Sequence, residues 1–162
     1  MKEFYNAYEV FELAQQIERN GARFYRKAAE AAEDTSLRQL LLELASMEDD
    51  HLRVFQALQE RLRDRDWAKG FDPEAEAVLF LRAMATGKVF DVRTDPSELI
   101  KMMSPRDTLA MAIGFEKDSI AYYTGVKAIV PEDLGRQEIE HIIAEEMRHA
   151  ALLSRRLQEL EG

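Results

Sequence analysis

The two halves of the sequence match each other at a constant offset of 98 residues, and the match needs no gap. A repeat of this kind indicates a molecule built from two equivalent halves. The matching positions include two glutamates and one histidine in each half. These are Glu18, Glu48 and His51 in the first half, and Glu116, Glu146 and His149 in the second. The repeat therefore constrains the architecture and the placement of six ionisable side chains.

Each half contains two long segments in which apolar residues recur every three or four positions, the spacing that predicts an amphipathic helix. Only seven Gly and four Pro occur, so helices are favoured throughout. The polar residues 33–36 separate the first two segments, and Pro131 separates the last two. We predict an all-α chain with helices over about residues 6–34, 36–64, 105–130 and 132–160, paired as two antiparallel hairpins.

The connection between the hairpins, over about residues 65–104, is long and partly helical in its sequence pattern. Asp72-Pro73 starts a short helix that reaches about Thr86, and Asp95-Pro96 starts another. A helix of about 28 residues is about 42 Å long, and a connection of about forty residues can span that length. We therefore predict that residues 1–162 form a single domain, a ferritin-like four-helix bundle with a long crossover.

Composition excludes several classes of site and partner. Lys and Arg number 22 against 31 Asp and Glu, and the resulting charge of -9 disfavours binding to nucleic acid or to anionic membranes. Cysteine is absent, which excludes disulfides, thiolate zinc sites, iron–sulfur clusters and cysteine nucleophiles. The sequence has no apolar run of about 18 residues and no signal-peptide core near its start. We expect a soluble, cytoplasmic protein.

The spacing of the repeated residues predicts that their side chains converge. Glu48 and His51 are three residues apart, so they project from one helix face, and Glu146 and His149 do the same. In each half, 30 residues separate the first glutamate from the second, and the hairpin turn lies midway between them. The two glutamates of a hairpin therefore lie at the same height on neighbouring helices. All six side chains can meet at one level inside the bundle.

These six side chains interrupt apolar stripes, where a charged group is expected to be paired. Four converging carboxylates would repel one another, whereas two divalent cations would neutralise them. Carboxylate and imidazole ligands without sulfur suit iron or manganese and tolerate zinc. A glutamate from each of two helices plus Glu-x-x-His from each of two others is the ligand set of a di-iron or di-manganese bundle. We therefore predict two metal ions per chain, with iron or manganese favoured and zinc tolerated.

Two residues near this pattern need a separate interpretation. Glu145 also shares a helix face with His149 and is a rival to Glu146 as a ligand. The repeat favours Glu146, because Met47 occupies the position equivalent to Glu145. His141 matches no histidine in the first half, and we expect it on the surface.

Tyr25 and Tyr123 lie seven residues after Glu18 and Glu116, which is two turns along the same helix face. One interpretation is core packing with hydrogen-bonded hydroxyl groups. The other is catalytic: a phenol that hydrogen-bonds a ligand carboxylate, or that passes a proton or an electron to bound oxygen species. Gly21 is expected to allow close helix packing.

A longer pattern joins these positions: Ile17-Glu18-x-x-Gly21-x-x-Phe24-Tyr25, Glu48-x-x-His51, Ala112-x-x-x-Glu116 and Glu146-x-x-His149. As a set, the pattern resembles the rubrerythrin family within the ferritin-like superfamily, and it covers essentially the whole chain as a di-iron domain. The resemblance implies a binuclear iron centre held by the six repeated residues. It also implies reduction of hydrogen peroxide or, as in relatives, oxidation of ferrous iron by dioxygen.

Two departures from that family bear on function. Its members carry Glu-x-x-Glu on the third helix, whereas Ser119 occupies the second of these positions here, so redox-linked ligand exchange at one iron is expected to be lacking. The sequence also contains no rubredoxin-like module, as the lack of cysteine requires. Electrons are therefore expected from an external donor, such as a rubredoxin-like protein, or from ferrous iron itself.

We expect a di-iron oxidoreductase that reduces hydrogen peroxide or dioxygen, with one of the two tyrosines assisting. The first alternative is a ferroxidase or a protein of iron storage and detoxification, and the second is a bundle whose metal is purely structural. An apolar surface is expected near the start of the chain, so we also predict a homodimer. The residues of this apolar surface are Phe4, Tyr5, Tyr8 and Phe11.

Overall fold

Helices account for the regular structure of the described residues. A computed structural model describes residues 7–63, 72, 74–85 and 96–162, and these contain no β-strand. The α-helices are α1 (Ala7–Ala31), α2 (Thr35–Arg63), α3 (Glu76–Ala85), α4 (Pro105–Ile129) and α5 (Arg136–Glu161). Two 3₁₀ segments, Pro96–Met102 and Glu132–Leu134, lie between them. The prediction of an all-α chain is confirmed.

The first hairpin consists of α1 and α2, which pack along each other. The Asp34 carboxylate caps α2, since its Oδ1 accepts a hydrogen bond from Leu37 N at 2.7 Å. The guanidinium of Arg38 donates to the Ala32 carbonyl at 2.7 Å and so satisfies a free acceptor after α1. α1 therefore ends at Ala31, earlier than the predicted residue 34, because the turn needs Asp34 as a cap.

The second hairpin pairs α4 with α5. Ser104 caps α4 by accepting a hydrogen bond from Asp107 N at 3.1 Å, and Pro105 is the first residue of the helix. α5 begins at Arg136 and not at the predicted residue 132. The intervening residues form a tight 3₁₀ turn that ends at Gly135, whose φ of 123° interrupts the helix.

The crossover is described only in part. α3 packs against α4, and the 3₁₀ segment Pro96–Met102 packs against α1. The predicted helix after Asp72 is present as α3, which begins at Glu76, while the predicted end at Thr86 lies outside the described residues. The second predicted helix is a 3₁₀ segment. None of the described helices is long and apolar enough to cross a membrane.

Two apolar clusters occupy the interior, one toward each end of the bundle. One cluster includes Phe11, Phe55, Leu58, Tyr122 and Ile139. The other includes Phe24, Leu41, Leu44, Leu109 and Leu153. On each of the four long helices, the glutamate and histidine positions of the repeat fall between the residues of the two clusters. The bundle therefore has a polar layer between two apolar layers.

The prediction of an apolar surface near the start of the chain is wrong for one of its residues, Phe11. Phe11 is 1% exposed and belongs to the core, because it faces the interior of the bundle from α1. Tyr8 is 46% exposed, while Phe4 and Tyr5 lie outside the described residues. The homodimer stays a prediction, with Tyr8 as its remaining described support.

Candidate metal centre

The polar layer between the two apolar clusters contains all six side chains singled out by the repeat. Each of them is at most 3% exposed, although each carries an ionisable group. They are Glu18 on α1, Glu48 and His51 on α2, Glu116 on α4, and Glu146 and His149 on α5. Burying an ionised carboxylate is costly unless it is paired or bound to a metal ion. A convergence of this kind needs a compensating partner.

The six side chains form two overlapping groups of four. The His51 group consists of Glu18, Glu48, His51 and Glu146, and the His149 group consists of Glu48, Glu116, Glu146 and His149. Within each group, one ligand atom from each residue lies within 4.8 Å of the others. Glu48 and Glu146 belong to both groups, so their carboxylates can bridge two ions. Glu18 and Glu116 belong to one group each and can serve as terminal ligands.

Both imidazoles turn the same nitrogen toward the carboxylates. His51 Nδ1 lies 3.3 Å from Glu146 Oε1 and 3.6 Å from Glu18 Oε2. His149 Nδ1 lies 3.0 Å from Glu146 Oε2 and 3.3 Å from Glu48 Oε1. The two rings are stacked, with centroids 5.7 Å apart. The centre therefore presents one inward imidazole nitrogen to each group.

The atoms that face one another in this layer lie close together, but they form no hydrogen bond of acceptable geometry among the described residues. They are Glu18 Oε2, Glu48 Oε1, His51 Nδ1, both carboxylate oxygens of Glu146, and His149 Nδ1. A buried polar atom without a partner costs about 1–3 kcal/mol, and more when it is charged. Six such atoms around one point fit a metal centre, since cations would satisfy all of them together.

The pKa values follow from burial and from the crowding of like charges. Burial, and then the charges of Glu48 and Glu146, raise the pKa of Glu18 well above its usual range. Burial, Glu48 and Glu116 raise the pKa of Glu146 to about 8. Glu18 and Glu146 therefore resist being charged unless positive charge is supplied to them. At Glu116, burial raises the pKa, but His149 outweighs burial and lowers it.

The two histidines respond to the same carboxylates in the opposite sense. Burial lowers the pKa of His51, but Glu146 and Glu18 outweigh burial and raise it to about 11. The pKa of His149 is raised to about 12, again against burial, by Glu116, Glu146 and Glu48. Without a metal ion, the protonated imidazoles supply part of the positive charge that compensates the four carboxylates.

The donor set selects a class of metal. Carboxylate oxygen and imidazole nitrogen suit iron and manganese and tolerate zinc, and the chain has no thiolate to offer. Two divalent ions would bring four positive charges to four carboxylates. The residues present therefore fit a binuclear centre.

Tyr25 and Tyr123 each hydrogen-bond a carboxylate that belongs to a single group. The Tyr123 hydroxyl donates to Glu18 Oε1 at 2.5 Å, and the Tyr25 hydroxyl donates to Glu116 Oε1. Both side chains are at most 2% exposed. Burial and then the adjoining carboxylates, Glu116 for Tyr25 and Glu18 for Tyr123, raise both tyrosine pKa values well above 10. Both phenols therefore keep their protons and hold one oxygen of each carboxylate.

The outer nitrogens of the imidazoles contact two residues that the sequence did not assign to the site. His51 Nε2 lies 3.0 Å from Glu145 Oε2, and His149 Nε2 lies 3.1 Å from Met47 Sδ. Glu145 belongs to neither group. The sequence places Glu145 on the same helix face as His149. Spacing along one helix cannot show that its carboxylate reaches His51, which lies on another helix.

The remaining residues considered from the sequence lie outside the two groups. His141 is exposed, and its Nε2 lies 3.7 Å from Glu145 Oε1. Ser119 is buried, with 6% of its surface exposed. Gly21 lies beside Glu48, and a Cβ at this position would be 3.0 Å from Glu48 Oε2.

Comparison with known proteins gives the family. A family model described as the ferritin-like domain matches residues 7–159. A crystal structure from Thermotoga maritima, described as a ferritin-like diiron-carboxylate protein, is similar at 23% sequence identity with a TM-score of 0.79. The similarity covers 98% of this chain and 99% of that chain. No curated protein matches the chain. The predicted ferritin-like fold is confirmed, and because the family model spans nearly all of the sequence, the chain belongs to the ferritin-like domain family.

Proposed function

We propose that the protein is a di-iron oxidoreductase that reduces hydrogen peroxide or dioxygen with electrons from an external donor. The observation that carries the proposal is the pair of four-residue groups sharing Glu48 and Glu146. Six buried atoms in these groups lack hydrogen-bond partners among the described residues. A purely structural ion would need one closed set of ligands, whereas two adjoining sets suit two-electron chemistry on a small oxidant.

The proposed ligands divide the work between the two ions. Glu48 and Glu146 belong to both groups and would be shared by the two ions, while Glu18 and Glu116 would each complete one site. His51 and His149 would bind through Nδ1, the nitrogen that faces the carboxylates. Two ferrous ions held in this way would supply the two electrons that break an O–O bond.

The two tyrosines have a positioning role in this proposal. Each phenol donates a hydrogen bond to one oxygen of a terminal carboxylate, and the other oxygen of that carboxylate stays available to an ion. Their raised pKa values keep this donation in place at neutral pH. Reduction of one peroxide to two waters consumes two electrons and two protons, and both phenols hold a proton next to the centre.

Within the ferritin-like family, we propose that the chain is a rubrerythrin relative, on the strength of the motif set that includes Glu18, Gly21 and Tyr25. The electron donor is proposed to be a separate rubredoxin-like protein, since the chain has no cysteine to hold an electron-transfer iron of its own. Ser119 cannot supply a fifth carboxylate. We therefore expect a fixed ligand set during turnover.

Stopped-flow oxidation of protein loaded anaerobically with Fe²⁺ tests the proposal. We expect about two Fe²⁺ per chain and faster oxidation by hydrogen peroxide than by dioxygen. Faster oxidation by dioxygen would favour the ferroxidase instead. The variant Glu146→Ala removes a ligand common to both groups, so its iron content should fall sharply.

The matched control for that variant is Glu140→Ala, which removes an exposed carboxylate of α5 that pairs with Lys127. Its iron content should equal that of the wild type. An unchanged iron content in Glu146→Ala would contradict the site assignment. A mass measurement is a second check, because a dimer with two iron ions per chain excludes storage, whereas a large hollow shell with many iron ions supports it.

A further inference from the structure

The repeat that places the six ligand residues breaks down on the outer side of the two imidazoles. Nε2 of His51 lies 3.0 Å from a carboxylate oxygen of Glu145, whereas Nε2 of His149 lies 3.1 Å from the thioether sulfur of Met47. Met47 and Glu145 are equivalent positions, 98 residues apart. The two groups therefore have matching ligands and matching tyrosines but different partners for their histidines.

The different partners of Nε2 change how strongly each histidine can bind a metal ion. Each Nδ1 faces the carboxylates of the centre, so metal binding there leaves Nε2 as the N–H donor. An ionised carboxylate is a strong acceptor for this proton, and a thioether is a weak one. A carboxylate partner also fixes the orientation of the ring and raises its basicity toward the metal. His51 is therefore the better ligand of the two.

Glu145 is itself held in place. The guanidinium of Arg148 donates to Glu145 Oε1 at 3.2 Å, and His141 Nε2 lies 3.7 Å from the same oxygen. These contacts occupy one carboxylate oxygen and leave the other directed at His51. The Glu145 side chain is 30% exposed, so its carboxylate stays partly hydrated. The contact with His51 therefore avoids the desolvation cost of a fully buried charge.

We propose that Glu145 is a positioning residue that makes the two metal sites unequal, so that the His51 group binds its ion first and more tightly. This inference rests on the proposed binding of two ions by the centre. Loss of such a histidine partner lowers metal affinity about 10–100-fold. The same factor is the expected ratio between the affinities of the two groups.

Calorimetric titration of metal-free protein with Co²⁺, followed also by the visible absorption of the bound ion, separates the two sites. The wild type should bind two Co²⁺ in two steps, with dissociation constants about 10–100-fold apart. Glu145→Met gives both imidazoles a thioether partner, so the first step should weaken by that factor and merge with the second. Met47→Glu supplies the missing carboxylate, so the second step should tighten.

A conservative variant and a control variant separate the positioning of His51 by Glu145 from a general effect on the fold. Glu145→Gln keeps a neutral acceptor and should weaken the first step less than Glu145→Met does. Glu140→Met removes one negative charge from the same helix without contacting an imidazole, and both steps should stay as in the wild type. The absorption spectrum of the fully loaded protein should change in Glu145→Met and should stay as in the wild type in Glu140→Met.

The outcomes distinguish this inference from the function on which it rests. Two equal steps in the wild type, or a first step that Glu145→Met leaves unchanged, would overturn the role of Glu145. A wild-type protein that binds no Co²⁺, with its helix content intact by circular dichroism, would overturn the binuclear centre itself.

Discussion

Gly21 leaves room for one of the two carboxylates that both groups share. A Cβ at this position would lie 3.0 Å from Glu48 Oε2 and 3.4 Å from Glu48 Cδ. The sequence predicted close packing at Gly21, but it could not identify the close atom as a ligand oxygen. Spacing gives the helix face of a residue, whereas the neighbouring atom depends on the side-chain rotamer across the interface.

Replacement of this glycine should therefore affect metal binding more than folding. In Gly21→Ala the Glu48 carboxylate must shift by a few tenths of an ångström, and we expect affinity at both sites to fall by roughly tenfold. Titration with Co²⁺ measures the change. Gly114→Ala is the control, since a Cβ at Gly114 meets nothing within 4 Å. Equal Co²⁺ affinities in the two variants would show that the Glu48 carboxylate tolerates a Cβ at position 21 without losing its place in the site.

At the scale of elements, the hairpins were predictable and their ends were less so. The 98-residue repeat and the apolar periodicity predict four long helices, because burial of an amphipathic face dominates helix formation. The start of α5 at Arg136 was not predicted. Pro131 is a typical first residue of a helix, and only the packing of Gly135 against Leu58 shows that a turn intervenes.

The turn before α5 depends on Gly135. Its φ of 123° lies in a region that residues with a side chain rarely adopt, and a Cβ would lie 2.0 Å from Leu58 Cδ2. We expect Gly135→Ala to lower the free energy of unfolding by about 1–3 kcal/mol. Thermal unfolding of the metal-free protein would then shift downward by several degrees, about 2–4 °C per kcal/mol.

Gly114→Ala again provides the comparison, because this position is helical and open. Alanine is favoured over glycine in a helix by up to about 1 kcal/mol, so this variant should unfold at the same temperature as the wild type or slightly above it. A Gly135→Ala protein as stable as Gly114→Ala would contradict the strained turn.

The molecule as a whole combines two apolar layers with a charged layer between them. The position of this charged layer could be predicted from sequence, because glutamates that interrupt apolar stripes at matched heights must meet in the interior. The outer contacts of the imidazoles could not be predicted, since Glu145 and Met47 lie on the rim of the helix face, where periodicity is weakest.

Metal should stabilise this arrangement. The centre contains six buried atoms without hydrogen-bond partners among the described residues, and ion binding to the folded state alone adds about 2.7 kcal/mol at a hundredfold excess over Kd. For a chain of this size we expect removal of metal by a chelator to lower Tm by about 5–10 °C.

Differential scanning calorimetry of metal-free and iron-loaded protein measures this difference. Glu146→Ala should show little response to added iron, because it lacks a ligand that both groups share. A wild-type Tm that is the same with and without iron would contradict the prediction.

The two apolar layers also decide how small molecules and electrons reach the centre. Phe55 and Tyr122 close one end of the bundle interior, and Phe24 and Leu41 close the other. On one flank of the bundle, between α2 and α5, the described residues leave a surface pocket that is lined by His51, His141 and Glu145. For the proposed function, an electron donor that docks on this flank would face the His51 ring and would not need to enter the bundle interior.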